Sequence, residues 1–249
     1  MSALNLIALG WIGVAAIVFA SLLRTVAPYG RHARPGWGPA IPAMAGWVVM
    51  ETASLGAIVA LFVASGPTLN RVARVFFWAW VFHYAHRSFI YPLRARQRGK
   101  TMPVSVALMA VTFNAVNAGL NGWWFFFVLD RDASWFVDPR FLVGAALFAA
   151  GFALNVQSDS ILFGLRRPGE TGYRIPHGGG FSYVSCPNYL GEIVEWCGFA
   201  LAAWSLPALS FAAWTAVNLV PRALAHHRWY LERFPAYPRD RKAIVPFVL

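Results

Sequence analysis

Apolar residues along this chain fall into long, nearly continuous runs, not the short alternations of half-buried strands or the one-sided stripes of soluble helices. A helix needs about 20 apolar residues to cross the hydrocarbon core of a bilayer. Seven runs approach that length, at 3–23, 43–65, 73–93, 103–129, 141–157, 188–205 and 207–227. The pattern predicts an all-α, polytopic membrane protein with seven transmembrane helices. The first run has no basic region ahead of it and is longer than a signal-peptide core, so it reads as a retained helix. An odd number of spans places the two termini on opposite sides of the membrane.

Basic residues decide which side is which, because they accumulate on the cytoplasmic face. One set of loops and the tail carries Arg24, Arg31, Arg34, Arg94, Arg96, Arg98, Lys100, Arg166, Arg167, Arg174, Arg222, Arg228, Arg233, Arg239, Arg241 and Lys242. The opposite side carries Arg71, Arg74, Arg131 and Arg140, and Arg87 lies within a span. This asymmetry predicts an outside N-terminus and a cytoplasmic C-terminus. No repeat or linker composition interrupts residues 1–249, which read as one membrane-embedded domain.

Composition agrees with the pattern. Of the 249 residues 58% are hydrophobic and 12% charged, against roughly 25% charged in soluble domains, so a soluble globule would lack polar surface. The net charge of +11 in a soluble protein would point to nucleic acid. Here the basic residues stand between apolar runs and act as topology signals and anion sites, so the partners read as the lipid bilayer and a ligand, with no nucleic acid. Cys186 and Cys197 form no CxxC pattern, and the adjacent His226 and His227 point in different directions on a helix, so no metal site is expected. The glycines at 178–180 lack the GxGxxG spacing and strand-to-helix context of a dinucleotide fingerprint.

Ionisable residues inside spans are costly and are functional candidates by default. Glu51 lies about 12 Å into the second span at 1.5 Å per residue, and Tyr84 about 13 Å into the third from the same face. A carboxyl and a phenol at one level can share a hydrogen bond and polarise a carbonyl. The alternative is a structural pair of Glu51 with His86 or Arg87, and the spacing leaves both open. His83, Tyr84, His86 and Arg87 cover little more than one turn and cannot all face one way. Trp47, one turn before Glu51, would line its face and could pack against a flat apolar ligand.

A second polar cluster gathers at the cytoplasmic ends of the last three spans. Asn155 and Asp159 share a helix face at i, i+4, Asn188, Glu192 and Glu195 begin the sixth span, and His226, His227, Arg228 and Tyr230 end the seventh. With Arg166 and Arg174 in the loop 158–187, this makes a mouth for a large polyanion: arginines for phosphates, carboxylates and amides for ribose hydroxyls or a carboxamide. A nucleotide is the natural candidate.

The strings HYAHRSFIYP, LNVQSDSILFGLRRPGE, YRIPHGGGFSYVSCPNYLGEIVEWCGFALAAWSLPA and HHRWYLERFPAYPRDRKAIVPFVL together closely resemble the steroid 5α-reductase (3-oxo-5α-steroid 4-dehydrogenase) family, in register from about Trp47 to Leu249. The resemblance implies NADPH-dependent reduction of the Δ4 double bond of a 3-oxo-Δ4-steroid or another flat enone, with hydride delivered to C5 and a proton to C4. It implies catalytic roles for Glu51 and Tyr84 on the 3-oxo group, with Trp47 and Met50 beside the substrate. It implies NADPH contacts for Asn155, Asp159, Arg166, Tyr173, Arg174, Asn188, Glu192, His226 and Tyr230, with Arg222 in support. Lys100 stands where the family has an arginine near the cofactor, which keeps the charge but not the bidentate fork. Met50 stands where mammalian members have glutamine, exchanging an amide for a soft apolar side chain.

CPNYLGE is also a diluted form of a pattern in sterol C14 reductases and in isoprenylcysteine carboxyl methyltransferases, which use S-adenosylmethionine. A methyltransferase would normally show RHP where this chain has Ser185, Cys186 and Pro187. It would also need no buried acid and phenol in the second and third spans, so the residues favour the reductase. A sterol-binding or transport protein on the same fold is the non-enzymatic alternative. The Ala- and Arg-rich, Lys-poor composition points to a high-GC bacterial source and hence to the inner membrane, or to the endoplasmic reticulum in a eukaryote.

Overall fold

The computed structural model describes residues 1–66, 70–95, 99–165 and 172–249. Helix dominates them, and each apolar run coincides with a helical stretch: α1 (Ala3–Arg24), α2 (Ala43–Ala64), α3 (Arg71–Ala85) with α4 (Tyr91–Arg94), α5 (Val104–Trp123), α6 (Pro139–Gly164), α7 (Pro187–Ala203) and α8 (Leu206–Arg233). Among the described residues four stretches, Ala3–Arg24, Ala43–Ala64, Val104–Val128 and Pro139–Gly164, are long and apolar enough to cross a membrane unaided. The other three of the seven expected spans fall short by that measure. α7 has 17 residues and includes Glu192 and Glu195, α8 carries Arg222 and two histidines, and α3 stops at 15 residues.

The helices outrun the apolar runs where polar side chains are buried. α6 continues beyond residue 157 to Gly164 with Asn155, Ser158 and Asp159 buried, and α8 continues to Arg233 with His226 and Tyr230 buried. Hydropathy ends at the first polar residue, but the backbone keeps its hydrogen bonds wherever the polar group finds a partner.

The chain divides into two compact units, the first made of Met1–Leu9 with Ala27–Phe141, the second of Gly10–Val26 with Leu142–Leu249. In the first, α2 packs chiefly on α5 and α3. Two short strands, β1 (Ala40–Pro42) and β2 (Thr101–Pro103), pair antiparallel with Ile41 opposite Met102 and tie the chain ahead of α2 to the chain ahead of α5. The expected fold held no strand; three-residue strands leave no periodic signal. α3 passes into α4 through a π-turn, His86–Ile90, where Pro92 can donate no backbone hydrogen bond. Asn70 caps α3 by accepting from the Ala73 N–H at 2.7 Å. Aromatic pairs fill the interior, with Phe62 on Phe77 at 4.0 Å and Phe76 on Phe125 at 5.2 Å between centroids.

In the second unit α7 and α8 form a hairpin. Trp204 turns the chain in the left-handed region at φ 45°, and the Ser205 hydroxyl caps α8 by accepting from Ala208 N–H at 3.3 Å. The Trp214 indole donates to the Trp11 carbonyl at 3.0 Å and packs on the Trp11 ring. The tail returns to the segment before α7, where Ser185 N–H donates to the Lys242 carbonyl at 2.7 Å and Cys186 N–H to that of Ala243 at 3.1 Å.

Candidate active site

The buried side of α2 reads Ala43, Gly46, Trp47, Met50, Glu51, Ser54 and Ile58, a helical stripe that puts Glu51 inward with Trp47 and Met50. Tyr84 is 3% exposed on the inner face of α3. Two cross-links set these helices in register. The Trp80 indole donates to the Ser54 hydroxyl at 3.1 Å. The Tyr84 phenol donates to the Asn114 carbonyl oxygen at 3.4 Å, and the Asn114 amide donates to the Met50 backbone carbonyl at 2.6 Å. Glu51 thus lies in the α2 turn between the Met50 and Ser54 cross-links, which run to Asn114 and Trp80. The Trp80 and Tyr84 rings stack with centroids 5.4 Å apart, which fixes the plane of the phenol.

Arg87 packs on two aromatic rings. Its guanidinium sits 5.0 Å from the Trp47 ring and 4.5 Å from the Tyr91 ring, and its backbone carbonyl accepts from the Trp47 indole at 3.0 Å. Arg87 therefore orients Trp47, while Tyr84 turns to Asn114, and the four polar residues of this turn do divide between directions. His83 and His86 are both buried, and the His83 ring meets that of Tyr84 edge-on at 5.1 Å.

In the second unit the cluster is built by α6, α7 and α8. The Asn155 amide donates to the Asn188 backbone carbonyl at 2.9 Å and approaches the Glu192 carboxylate at 3.4 Å, and the Asn188 amide donates to Asp159 at 3.1 Å. Tyr189 connects α7 to α8: its hydroxyl accepts from the Arg222 guanidinium at 3.2 Å and meets His226 Nε2 at 3.2 Å. Tyr230 is buried and stacks on Tyr237 at 5.0 Å. Tyr173 and Arg174 are exposed, with the Tyr173 ring edge-on to Trp229 at 4.9 Å. Arg166 lies outside the described residues. Lys100, in the first unit, is exposed, and its backbone carbonyl accepts from Ala43 N–H at 2.9 Å.

This set suits a nucleotide. Amides and carboxylates held by one another present fixed donors and acceptors, the exposed Tyr173 and half-buried Trp229 offer ring surface, and Arg174 supplies charge. His227 does not join it: its Nδ1 meets the Ser185 hydroxyl at 2.7 Å, and that hydroxyl contacts Tyr237 at 2.6 Å. Sequence reasoning passed over Tyr189 and Asn114. Tyr189 sits inside CPNYLGE, next to Asn188. Asn114 had a readable signal, since Asn114, Asn117 and Asn121 recur at helical spacing in an apolar span.

Four helices long and apolar enough to cross a membrane, a buried carboxyl on α2, a tethered phenol on α3, and, in the second unit, a cluster of amides, carboxylates and an arginine define the class: a helical membrane protein with polar sites built into its helices. The family model 3-oxo-5-alpha-steroid 4-dehydrogenase matches residues 100–249. The chain is 43% identical over 237 residues to 3-oxo-5-alpha-steroid 4-dehydrogenase 1 of Macaca fascicularis, covering 94% of this chain and 90% of that protein. Identity is again 43% over 237 residues with the Homo sapiens protein of the same name, covering 94% and 91%. It is 43% over 236 residues with steroid 5-alpha-reductase DET2 of Gossypium hirsutum, covering 92% and 90%. The chain belongs to the 3-oxo-5-alpha-steroid 4-dehydrogenase family of enzymes, which decides between the two enzyme readings against the methyltransferase.

Proposed function

We propose that this enzyme reduces the Δ4 double bond of 3-oxo-Δ4-steroids to 5α-dihydro-3-oxosteroids with NADPH. The carrying observation is the phenol of Tyr84, buried and tethered through Asn114 to Met50, the residue before Glu51. With Glu51 taken as its neutral acid in this reading, the two hydroxyl donors add no net charge to an apolar site, which suits a ketone oxygen better than an anion. Asn155, Asp159, Arg166, Tyr173, Arg174, Asn188, Glu192, His226 and Tyr230, with Arg222 in support, would hold NADPH, and the bound cofactor would supply a hydride to C5.

As C5 gains the hydride, the π electrons of C4=C5 move toward C3 and charge builds on the 3-oxo oxygen. The Tyr84 O–H and the protonated Glu51 carboxyl donate to that oxygen, stabilising the charge more than the starting ketone. The carbonyl re-forms as C4 takes up a proton. Trp47, held by Arg87 and Tyr91, and Met50 give flat apolar surface to a rigid ring system without spending side-chain entropy on binding.

The seven helical stretches support a seven-span topology, and the loop charge asymmetry supports a cytoplasmic C-terminus. Composition supports the bacterial inner membrane as the location. The deciding experiment measures NADPH oxidation by detergent-purified protein with and without progesterone or testosterone and identifies the product by mass and stereochemistry. A steroid-dependent rate giving the 5α-dihydro product is expected. No turnover of any Δ4-3-oxosteroid, in protein that binds NADPH, would move the substrate to other enones.

A further inference from the structure

Three asparagines lie on one side of α5, all buried: Asn114 at 4% exposure, Asn117 and Asn121 at 0%. The amide of Asn117 donates to the Phe113 carbonyl at 2.8 Å and that of Asn121 to the Asn117 carbonyl at 2.9 Å, both one turn back along their own helix. That is the local solution for a polar side chain in an apolar helix. Asn114 leaves this pattern. Its amide crosses to the Met50 carbonyl on α2 and its oxygen takes the Tyr84 phenol on α3, so one side chain holds the two helices that carry the carboxyl and the phenol.

We infer that Asn114 is a positioning residue for Tyr84, setting where the phenol oxygen stands and where its single proton points before a ligand arrives. The inference rests on the proposed role of Tyr84 as a donor to the 3-oxo group. Ring stacking on Trp80 fixes the plane of the phenol but not the rotation of the hydroxyl about its C–O bond. The Asn114 carbonyl oxygen fixes that rotation, since a buried O–H turns to whichever acceptor is in reach. At 3.4 Å the bond is long, so it yields readily to an incoming carbonyl. The 2.6 Å bond to Met50 anchors the amide and fixes which of its ends faces Tyr84. The chemistry thus depends on a third helix whose side chain need not touch the steroid.

The test is a double-mutant cycle in detergent-purified full-length protein with Asn114→Leu, Tyr84→Phe and the pair, reading kcat and KM for progesterone and the dissociation constant of NADPH. In the wild-type background Asn114→Leu is expected to lower kcat about 10-fold or more, with steroid KM within about 3-fold. NADPH affinity should not change. In the Tyr84→Phe background the same substitution is expected to cost less than about 2-fold, because its effect is already lost. Asn114→Asp keeps the acceptor oxygen but loses the donor to the Met50 carbonyl, so it is expected to recover only part of the rate lost in Asn114→Leu. Should leucine prevent folding, Asn114→Ala completes the same cycle. Equal losses in both backgrounds, or wild-type kcat in Asn114→Leu, would overturn the inference while leaving the role of Tyr84 intact. Wild-type kcat in Tyr84→Phe alone would instead remove that role, and the inference with it.

Discussion

Gly151 on α6 and Gly191 on α7 meet backbone to backbone: a Cβ on Gly151 would stand 2.6 Å from the Gly191 carbonyl oxygen, and one on Gly191 2.7 Å from that of Gly151. Gly144 and Gly198 repeat the contact one heptad away, each would-be Cβ 2.6 Å from the other's carbonyl oxygen. Apolar surface brings no hydrophobic gain between helices in lipid, so close backbone packing is the main attraction available to them. It also brings the Asn155 amide within 2.9 Å of the Asn188 carbonyl, so this packing builds the second polar cluster.

Gly151→Ala is therefore expected to destabilise the protein by about 1–3 kcal/mol, the usual cost of inserting a methyl group where none fits, and to weaken NADPH binding by opening the Asn155 to Asn188 bond. Gly56→Ala on α2, where a Cβ meets nothing within 4 Å, should be neutral or stabilising because alanine is the better helix former. Thermal midpoints and NADPH titration of the two variants check this. Equal behaviour would mean that α6 and α7 pack less closely than described.

Glu51→Gln should lower turnover of a 3-oxo-Δ4-steroid by about 10²–10³-fold, the range for losing one donor at a developing oxyanion, and leave NADPH affinity near wild type. The amide preserves shape but is a poorer proton donor than a carboxyl. A sterol carrier on the same scaffold would handle ligand equally well in this variant. Single-turnover rates and NADPH binding in the same preparation separate the two.

Arg174→Ala and Arg166→Ala should raise the NADPH requirement about 10-fold or more, as expected for a charge-assisted contact to phosphate, with steroid KM within about 3-fold. Steady-state kinetics with each substrate varied in turn is the measurement. A rise confined to the steroid KM would place these arginines elsewhere than at the nucleotide.

The runs of apolar residues located every long helix, because a backbone in lipid has no alternative to internal hydrogen bonding. They misplaced the ends of α6 and α8: the runs stop before Ser158 and Arg228, while the helices continue to Gly164 and Arg233. Glu51 and Tyr84 stand out in the sequence because one ionisable and one phenolic group fall at about 12 and 13 Å by helical rise in neighbouring apolar runs. Asn114, Asn117 and Asn121 at helical spacing mark a polar face of α5, but the partners of Asn114 stayed hidden, because they lie 64 and 30 residues away and follow no spacing rule. The glycine contacts were invisible for a related reason: glycine at i, i+7 marks close packing only once the facing helix is known.

Tyr237 gives the pH dependence. It is 2% exposed in the tail, bonded to the Ser185 hydroxyl at 2.6 Å, stacked on Tyr230 and 5.0 Å beneath the Arg241 guanidinium. Burial pushes its phenol above the ordinary value, and the Ser185 and Arg241 contacts offset that only in part. The folded protein therefore favours the neutral phenol. Its contribution is full below the ordinary phenol pKa of about 10 and is lost as pH rises through the raised value, where ionisation would place a charge against Ser185 and His227. Tyr237→Phe should lower the thermal midpoint near pH 8, since the Ser185 hydroxyl then loses a partner worth about 1 kcal/mol. The gap between wild type and variant should close as the pH is taken above about 10. A constant gap from pH 8 to pH 11 would show that the phenol is not held neutral.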